Sequence, residues 1–240
     1  MPPRPPGSLR PLAARQPDRY GALLLFILVD CAVIFILAEN STRRWLPAIL
    51  IALTAVVGME TSQVSGWWVR PTKVLAVVIV VVAVANAIAG TYTSLAWVSL
   101  AQVALLSILV VAIIGGFIRH VRVTLQTVLA VICVYVLFGL IFALLAFGIS
   151  GVDGDQFFVQ TDDPPLADFL YFSFVVLTTL GFGDLTPATY SGKAMVSFQA
   201  LLGQIFLVTV VSRLVSLYGS SRANKPRSEP DPSSPGAPPG

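Results

Sequence analysis

Residues 178–187 read Thr-Thr-Leu-Gly-Phe-Gly-Asp-Leu-Thr-Pro, with one aromatic residue, Phe182, between Gly181 and Gly183. Glycine adopts backbone angles that a side chain forbids, so glycine at every second position lets successive carbonyl groups turn to the same side of an extended loop. The residues after the second glycine form a polar exit that ends at Pro187. This stretch therefore predicts an irregular loop with a row of carbonyl oxygens that face in one direction.

The rest of the sequence has the composition of a membrane protein. Of 240 residues, 56% are hydrophobic and only 11% are charged, far outside the averages of soluble domains. About 20 apolar residues are needed to span a bilayer. We therefore predict an all-α membrane protein whose six transmembrane helices come from Tyr20–Ala38, Leu46–Met59, Val74–Gly90, Ser94–Ile118, Val123–Ser150 and Ala194–Leu217. Because the second run is short, five spans and a re-entrant second segment are the alternative.

A seventh apolar stretch, Phe169–Leu180, is too short to cross a membrane. We predict a half-length helix from Pro164 to Thr178 that enters the membrane and returns, with Asp163 as its N-cap and Pro164 in its first turn. Irregular backbone at membrane depth is tolerated only where protein or water surrounds it. The loop that follows this helix is therefore expected to line an aqueous opening.

The basic residues predict how the chain is oriented. With six spans and a cytoplasmic N-terminus, twelve of the 15 basic residues lie inside, and the others are Arg43, Arg44 and Lys193. This is the distribution that the positive-inside rule expects. We therefore expect a multi-pass protein of the cell membrane with both termini in the cytoplasm and no nucleic-acid partner. Residues 1–19 and 219–240, rich in Pro, Ser and Gly, are predicted to be disordered tails.

The run Thr179–Gly183 resembles the selectivity filter of potassium channels, which usually reads Thr-Val-Gly-Tyr-Gly. The resemblance implies that K⁺ exchanges its hydration shell for rings of oxygens, supplied by Thr179, Leu180, Gly181 and Phe182. It also implies a homotetramer, because the chain carries one filter and a complete ring needs four. Leu180 and Phe182 replace the commoner valine and tyrosine, and both replacements occur in the family.

Residues 119–218 resemble the two-helix pore domain of these channels. The resemblance implies that Val123–Ser150 is the outer helix, Ala194–Leu217 is the inner helix and Gly203 is a candidate gating hinge. It further implies that the filter is supported by Thr178, Tyr171, Phe172 and Asp184. Some members carry a glutamate that pairs with the aspartate after the filter. Here Val175 stands in its place, so Asp184 is expected to lose that partner.

Residues 20–118 are predicted to form a four-helix transmembrane domain that precedes the pore domain. A voltage sensor needs several arginines in one helix, and Ser94–Ile118 contains none. The protein is therefore not expected to be steeply voltage-gated. Asp30 falls near the middle of the first span, where a carboxylate is costly unless it is paired. Asn86 and Gln102 are its candidate partners, and we leave open whether Asp30 is structural or acts in gating or proton sensing.

Together these features predict a potassium-selective channel that conducts passively and needs no cofactor, with lipid, K⁺ and its own copies as partners. A non-selective cation channel is the main alternative. A remote alternative is an intramembrane aspartyl protease, because Gly181–Asp184 also fits a Gly-x-Gly-Asp pattern and Asp30 could supply the second carboxylate. That chemistry needs two aspartates that face each other and share a proton. We therefore expect no enzymatic activity.

Overall fold

The computed structural model describes residues 19–37, 46–61, 74, 76–82, 93–118, 125–153 and 156–223. Within these ranges the chain is helical, apart from the loops around residues 156–165 and 178–189. The helices are α1 (Arg19–Ile36), α2 (Leu46–Thr61), α3 (76–82), α4 (Thr93–Ile118), α5 (Leu125–Asp153), α6 (Leu166–Leu177) and α7 (Tyr190–Ala223). The predicted all-α architecture is confirmed.

Three of the described helices contain segments long and apolar enough to cross a membrane: Leu95–Gly115, Gln126–Val152 and Tyr190–Val210. The other apolar helices are shorter. The 18 residues of α1 extend about 27 Å at about 1.5 Å per residue, slightly less than a hydrocarbon core of about 30 Å. Of the predicted span Val74–Gly90, residues 74 and 76–82 are helical, and the remainder lies outside the described residues.

The two faces of α1 show what surrounds it. Leu23, Ile27 and Ile34 recur at helical spacing and are almost fully buried in the protein. The opposite face is equally apolar but exposed, as at Leu25 and Leu28. A helix that is apolar on both its buried and its exposed face is typical of a segment surrounded by lipid.

Helices α1 and α4 pack on α5, which lies at the centre of the protomer, and α2 packs on α1 and α4. The longest contact runs between α4 and α5, while α1 contacts both α2 and α5. Gly148 of α5 makes the close approach possible, since a Cβ atom there would lie 2.7 Å from Cδ2 of Leu100. Small residues at such crossings are common in membrane proteins because they let the two backbones come together.

The half-length helix α6 begins later than the sequence predicted. Its N-cap is Pro165, with φ −68° and ψ 160° and without a side-chain capping bond, so Asp163 is not the cap and Pro164 is not helical. The reason is the Pro-Pro pair. A residue that precedes proline is driven out of the helical region by the proline ring, and Pro164 precedes Pro165. The helix can therefore start no earlier than Pro165, which is observed as its N-cap.

The loops on either side of α6 pair with each other. The N–H of Val159 donates to the carbonyl of Thr186 at 3.0 Å, and the N–H of Ala188 donates to the carbonyl of Phe157 at 2.8 Å. These bonds enclose an isolated antiparallel bridge between Phe158 and Pro187. The segment that precedes α6 is therefore hydrogen-bonded to the segment that follows the Gly-Phe-Gly loop.

Candidate functional site

The backbone of the Gly-Phe-Gly loop alternates in conformation. Thr179, Gly181 and Gly183 have φ angles of 61°, 56° and 77° and are the described residues with positive φ. Glycine reaches this region without strain, whereas Thr179 pays for its Cβ atom. A non-glycine residue stays in such a conformation only where its surroundings impose it. The alternation has the period of two that the glycine spacing predicted.

The amide groups at the start of the loop are bonded to the end of α6. The N–H groups of Leu180 and Gly181 both donate to the carbonyl of Val175, at 3.0 and 3.4 Å, and the N–H of Thr179 donates to the carbonyl of Val176 at 3.0 Å. These bonds satisfy helix carbonyls that would otherwise lack partners. Within the described residues, the carbonyls of 179–183 accept no hydrogen bond. Their oxygens are free to bind another group.

Thr178 lies at the junction between α6 and the loop. Its N–H and its hydroxyl both donate to the carbonyl of Phe174, at 2.9 and 2.6 Å. The Thr178 side chain therefore caps the helix. Its neighbour Thr179 makes no such bond, which leaves the Thr179 hydroxyl available at the inner end of the loop.

Asp184 has a partner that the sequence did not predict. The Tyr171 hydroxyl donates to Oδ2 of Asp184 at 2.7 Å. Val175, which was expected to leave Asp184 without a partner, is itself buried in the protein. The bond from Tyr171 lowers the pKa of Asp184 below its usual value, because it favours the ionised carboxylate. Tyr171 and Asp184 thus join α6 to the outer end of the loop.

This bond predicts a change in acid sensitivity for Tyr171→Phe. With the pKa of Asp184 lowered, the bond stabilises the folded loop above the ordinary carboxyl pKa of about 3.9 and is lost as the pH falls through the lower, folded value. Without the hydroxyl, Asp184 should protonate at higher pH. We expect the loop of the variant to change at a higher pH than the wild type in an acid titration followed by NMR. An Asp184→Asn variant should show no such titration, and equal midpoints for Tyr171→Phe and the wild type would contradict the assignment.

Phe172 supports the loop from behind through an aromatic cluster. Its ring lies 5.1 Å from that of Phe158 and 6.4 Å from that of Phe157, both in edge-to-face geometry. The Phe158 ring also lies 4.9 Å from that of Phe169. Such pairs add to the burial energy of each ring. The cluster joins α6 to the strand-like segment that pairs with the loop exit.

Gly203 packs against the last residue of α6. A Cβ atom at Gly203 would lie 2.7 Å from Cδ1 and 3.1 Å from the carbonyl oxygen of Leu177. The same carbonyl accepts a hydrogen bond from the Tyr135 hydroxyl of α5 at 3.0 Å. The end of α6 is therefore held between α5 and α7, and only a glycine lets α7 approach this closely.

A buried polar network joins α5, α6 and α7 at Ser173, one helical turn before the end of α6. The Ser173 hydroxyl donates to the carbonyl of Gly139 at 2.6 Å. The side-chain amide of Gln199 donates to the carbonyl and to the hydroxyl of Ser173, at 2.9 and 2.8 Å. This network was not predicted from the sequence. Its signal was Gln199 itself, a side chain with strong hydrogen-bonding needs in an apolar helix.

Asp30 is buried beside Thr54 of α2, and one of its two predicted partners, Gln102, is wrong. Gln102 donates instead to the carbonyl of Ala48 at 2.9 Å, and Asn86 lies outside the described residues. The exposed fractions of Asp30 and Thr54 are 2% and 1%. In the described part of the chain, Oδ2 of Asp30 and the Thr54 hydroxyl oxygen have no hydrogen-bond partner. The site is a pair of adjacent polar side chains, each with one oxygen atom that lacks a partner.

We predict that Asp30→Asn raises thermal stability. A carboxylate in a membrane helix is costly, and an amide of the same size carries no charge. We expect the melting temperature of the detergent-solubilised protein to rise by about 2–4 °C for each kcal/mol gained. Thr54→Val, which removes the neighbouring hydroxyl at constant size, is the matched control and should be neutral or stabilising. A lower melting temperature in Asp30→Asn than in the wild type would contradict this prediction.

The structure separates the two carboxylates of the protease alternative. Asp184 is exposed and bonded to Tyr171, whereas Asp30 is buried beside Thr54. A shared proton requires two carboxylates in contact, and these two have different neighbours. The described residues also contain no cluster of His, Cys, Asp and Glu that could hold a metal ion.

Comparison with known proteins gives a match to one family and local matches to several relatives. Residues 130–219 match the family model described as "Ion channel". Over 52 residues, the chain is 44% identical to two pore potassium channel c of Oryza sativa subsp. japonica, covering 22% of this chain and 11% of the relative. It is 30% identical over 83 residues to potassium voltage-gated channel subfamily A member 2 of Xenopus laevis, covering 32% of this chain and 17% of the relative. Member 6 from Homo sapiens has the same identity, with 16% of its length covered.

These matches are local, since they cover 11% to 17% of the lengths of these relatives. No solved structure matches the chain. The relatives are channels, so the expectation that the protein is not an enzyme is confirmed, and the protease alternative is not supported. Residues 130–219, which include α6, the Gly-Phe-Gly loop and Gly203, are similar to the ion channel family, and the relatives that match the chain locally are potassium channels.

Proposed function

We propose that the protein is a potassium-selective channel whose filter is formed by Thr179–Gly183 from four copies of the chain. The observation that carries the proposal is the backbone of this loop. Its φ angles alternate, its first amide groups are bonded to α6, and its carbonyls remain free of hydrogen bonds within the described residues. Such oxygens, arranged in rings, can replace the water around K⁺.

The exposed surface of the protomer supports a tetramer. Leu180 and Phe182 are 61% and 65% exposed, although both belong to the loop. One face of α7 is also exposed and apolar, with Phe198, Leu201 and Ile205 all at least 60% exposed. Exposed apolar patches of this kind mark surfaces that meet another protein or lipid. Four-fold assembly would cover the loop and this face of α7 together.

Electrostatics favour a cation beside the inner end of such a filter. Each α6 helix ends at Leu177, immediately before the loop. A helix C-terminus carries a partial charge of about −0.5, and four such ends would surround the ion path. Within the described residues, the carbonyls of Val175 and Val176 already accept hydrogen bonds from loop amides, so part of this charge is used to hold the loop.

The wider arrangement follows from the same proposal. The chain forms six spans with a re-entrant α6, has both termini in the cytoplasm of a cell-membrane protein, and contacts lipid through faces such as that of α1. Gly203 is a candidate hinge in the inner helix α7. Because α4 contains no arginine, gating by voltage is expected to be weak. K⁺ is the permeant ion, and no cofactor is required.

Ion flux from purified protein in liposomes tests the proposal. We expect K⁺ flux to exceed Na⁺ flux strongly, and crosslinking in the same liposomes to yield a four-chain species. Protein-free liposomes are the control for leakage. Equal flux of K⁺ and Na⁺ would support a non-selective cation channel instead. Flux of neither ion over a range of pH and voltage would contradict the proposed conduction.

A further inference from the structure

We propose that Gln199 is a positioning residue that fixes the pore helix α6 to the inner helix α7 through Ser173, and that it thereby controls ion selectivity. The inference rests on the proposed function and adds to it a residue outside the filter. Its basis is the buried junction of Gln199, Ser173 and Gly139, which we call the Ser173 junction.

The Ser173 junction is buried, which distinguishes it from a contact at the protein surface. Ser173 and Gln199 are 2% and 1% exposed, so water does not compete for their hydrogen bonds. The Gln199 amide donates two hydrogen bonds to Ser173. The Ser173 hydroxyl in turn donates to the carbonyl of Gly139 in α5. Breaking one member leaves buried polar atoms unsatisfied, which costs more than the bond itself contributes.

Packing at Gly139 reinforces the connection. A Cβ atom at Gly139 would overlap with Cε1 of Phe174, the residue after Ser173. The glycine therefore brings α5 and α6 close enough for the Ser173 hydroxyl to reach the Gly139 carbonyl. Helices α5, α6 and α7 therefore meet at one level of the bundle. The groups that join them are the side chains of Ser173 and Gln199 and the backbone carbonyl of Gly139.

The position of the junction along α6 and α7 explains its expected effect. Ser173 lies two residues before Val175, whose carbonyl accepts bonds from Leu180 and Gly181 of the loop. Gln199 lies one helical turn before Gly203, which contacts Leu177. The junction therefore fixes the part of α7 beside the filter, so that any movement of α7 in gating takes place beyond Gly203 and does not disturb the loop.

The test compares Gln199→Leu with Ser197→Ala. Leucine has a similar size and removes both hydrogen bonds, whereas Ser197 lies on the same helix and makes only a local bond to the carbonyl of Lys193 at 2.9 Å. We expect the ratio of K⁺ flux to Na⁺ flux in liposomes to fall about tenfold in Gln199→Leu and to stay unchanged in Ser197→Ala. Ser173→Ala should lower the ratio too, and the double variant should be no worse than Gln199→Leu, because both act through one junction.

A second control separates positioning from general loss of stability. Leu105→Ala removes a fully buried side chain of α4 and should lower the melting temperature without changing the flux ratio. If it changes the ratio as much as Gln199→Leu does, the positioning role is wrong. An unchanged ratio in Gln199→Leu, with selective flux in the wild type, would overturn the inference and leave the channel proposal standing.

Hydrogen exchange tests the junction even if the wild type conducts no ions. We expect the amides of Leu166–Leu177 to exchange faster in Gln199→Leu than in Ser197→Ala or the wild type. Equal exchange rates in α6 would overturn the anchoring role independently of any flux. Failure of conduction in the wild type, with faster exchange in Gln199→Leu, would contradict the proposed function alone.

Discussion

Gly181→Ala is expected to abolish K⁺-selective flux while the protein remains folded. Gly181 has a φ angle of 56°, and a Cβ atom there would meet nothing within 4 Å in the protomer. The substitution therefore creates no clash and acts through the backbone alone. A left-handed conformation costs an L-residue about 1–2 kcal/mol, and the proposed tetramer contains four such sites. The loop can relieve this strain by rotating the peptide, which turns a carbonyl away from the ion path.

Flux and melting temperature measured on the same preparation check this prediction. We expect K⁺ flux to fall to the level of protein-free liposomes and the melting temperature to stay close to that of the wild type. Gly115→Ala is the matched control, since a Cβ atom there also meets nothing within 4 Å but the residue lies inside helix α4. Alanine favours helix more than glycine does, so Gly115→Ala should conduct normally. Selective flux retained by Gly181→Ala would show that the loop is not the filter.

The sequence was a good guide to the helices because apolar length and helix length are linked in a membrane protein. The run Ser94–Ile118 corresponds to α4, observed as Thr93–Ile118. The predicted ends of the helices were less accurate. The predicted inner helix Ala194–Leu217 lies within α7, observed as Tyr190–Ala223, because backbone hydrogen bonds continue into polar sequence where hydropathy no longer gives a signal.

The period of the loop could also be predicted, since it follows from local chemistry. Glycine at every second residue permits alternating φ angles, and the angles of Gly181 and Gly183 show that alternation. Local chemistry also explains the error at the start of α6. The sequence analysis used the preference of proline for a first turn but neglected the restriction that Pro165 places on Pro164.

The supporting contacts could not be predicted because they join residues that are distant along the chain. Tyr171 and Asp184 were both named as supports, yet their hydrogen bond depends on how the loop folds back beside α6. Gln102 was assigned to Asp30 from its polarity and depth, but its amide bonds the carbonyl of Ala48. Hydropathy gives the depth of a residue in a span and not the rotation of the helix, which decides the partner.

Gly203→Ala is expected to separate α7 from the end of α6. The added Cβ atom would lie 2.7 Å from Cδ1 of Leu177, which can move, and 3.1 Å from the carbonyl oxygen of Leu177, which belongs to the backbone. Overpacking of this kind costs about 1–3 kcal/mol. We expect the melting temperature to fall by about 2–4 °C per kcal/mol and K⁺ flux to decrease, since Leu177 immediately precedes the filter loop.

Combining this variant with Leu177→Val decides whether Gly203 is needed for close packing or as a hinge. Valine lacks the Cδ1 atom that would clash, so the double variant should recover much of the stability lost in Gly203→Ala. If close packing is the reason for the glycine, flux recovers together with stability. If the glycine is needed for bending, alanine still stiffens the helix in the double variant, and flux stays low although stability returns. We expect joint recovery, because the contact with Leu177 by itself accounts for a residue without a side chain at this position.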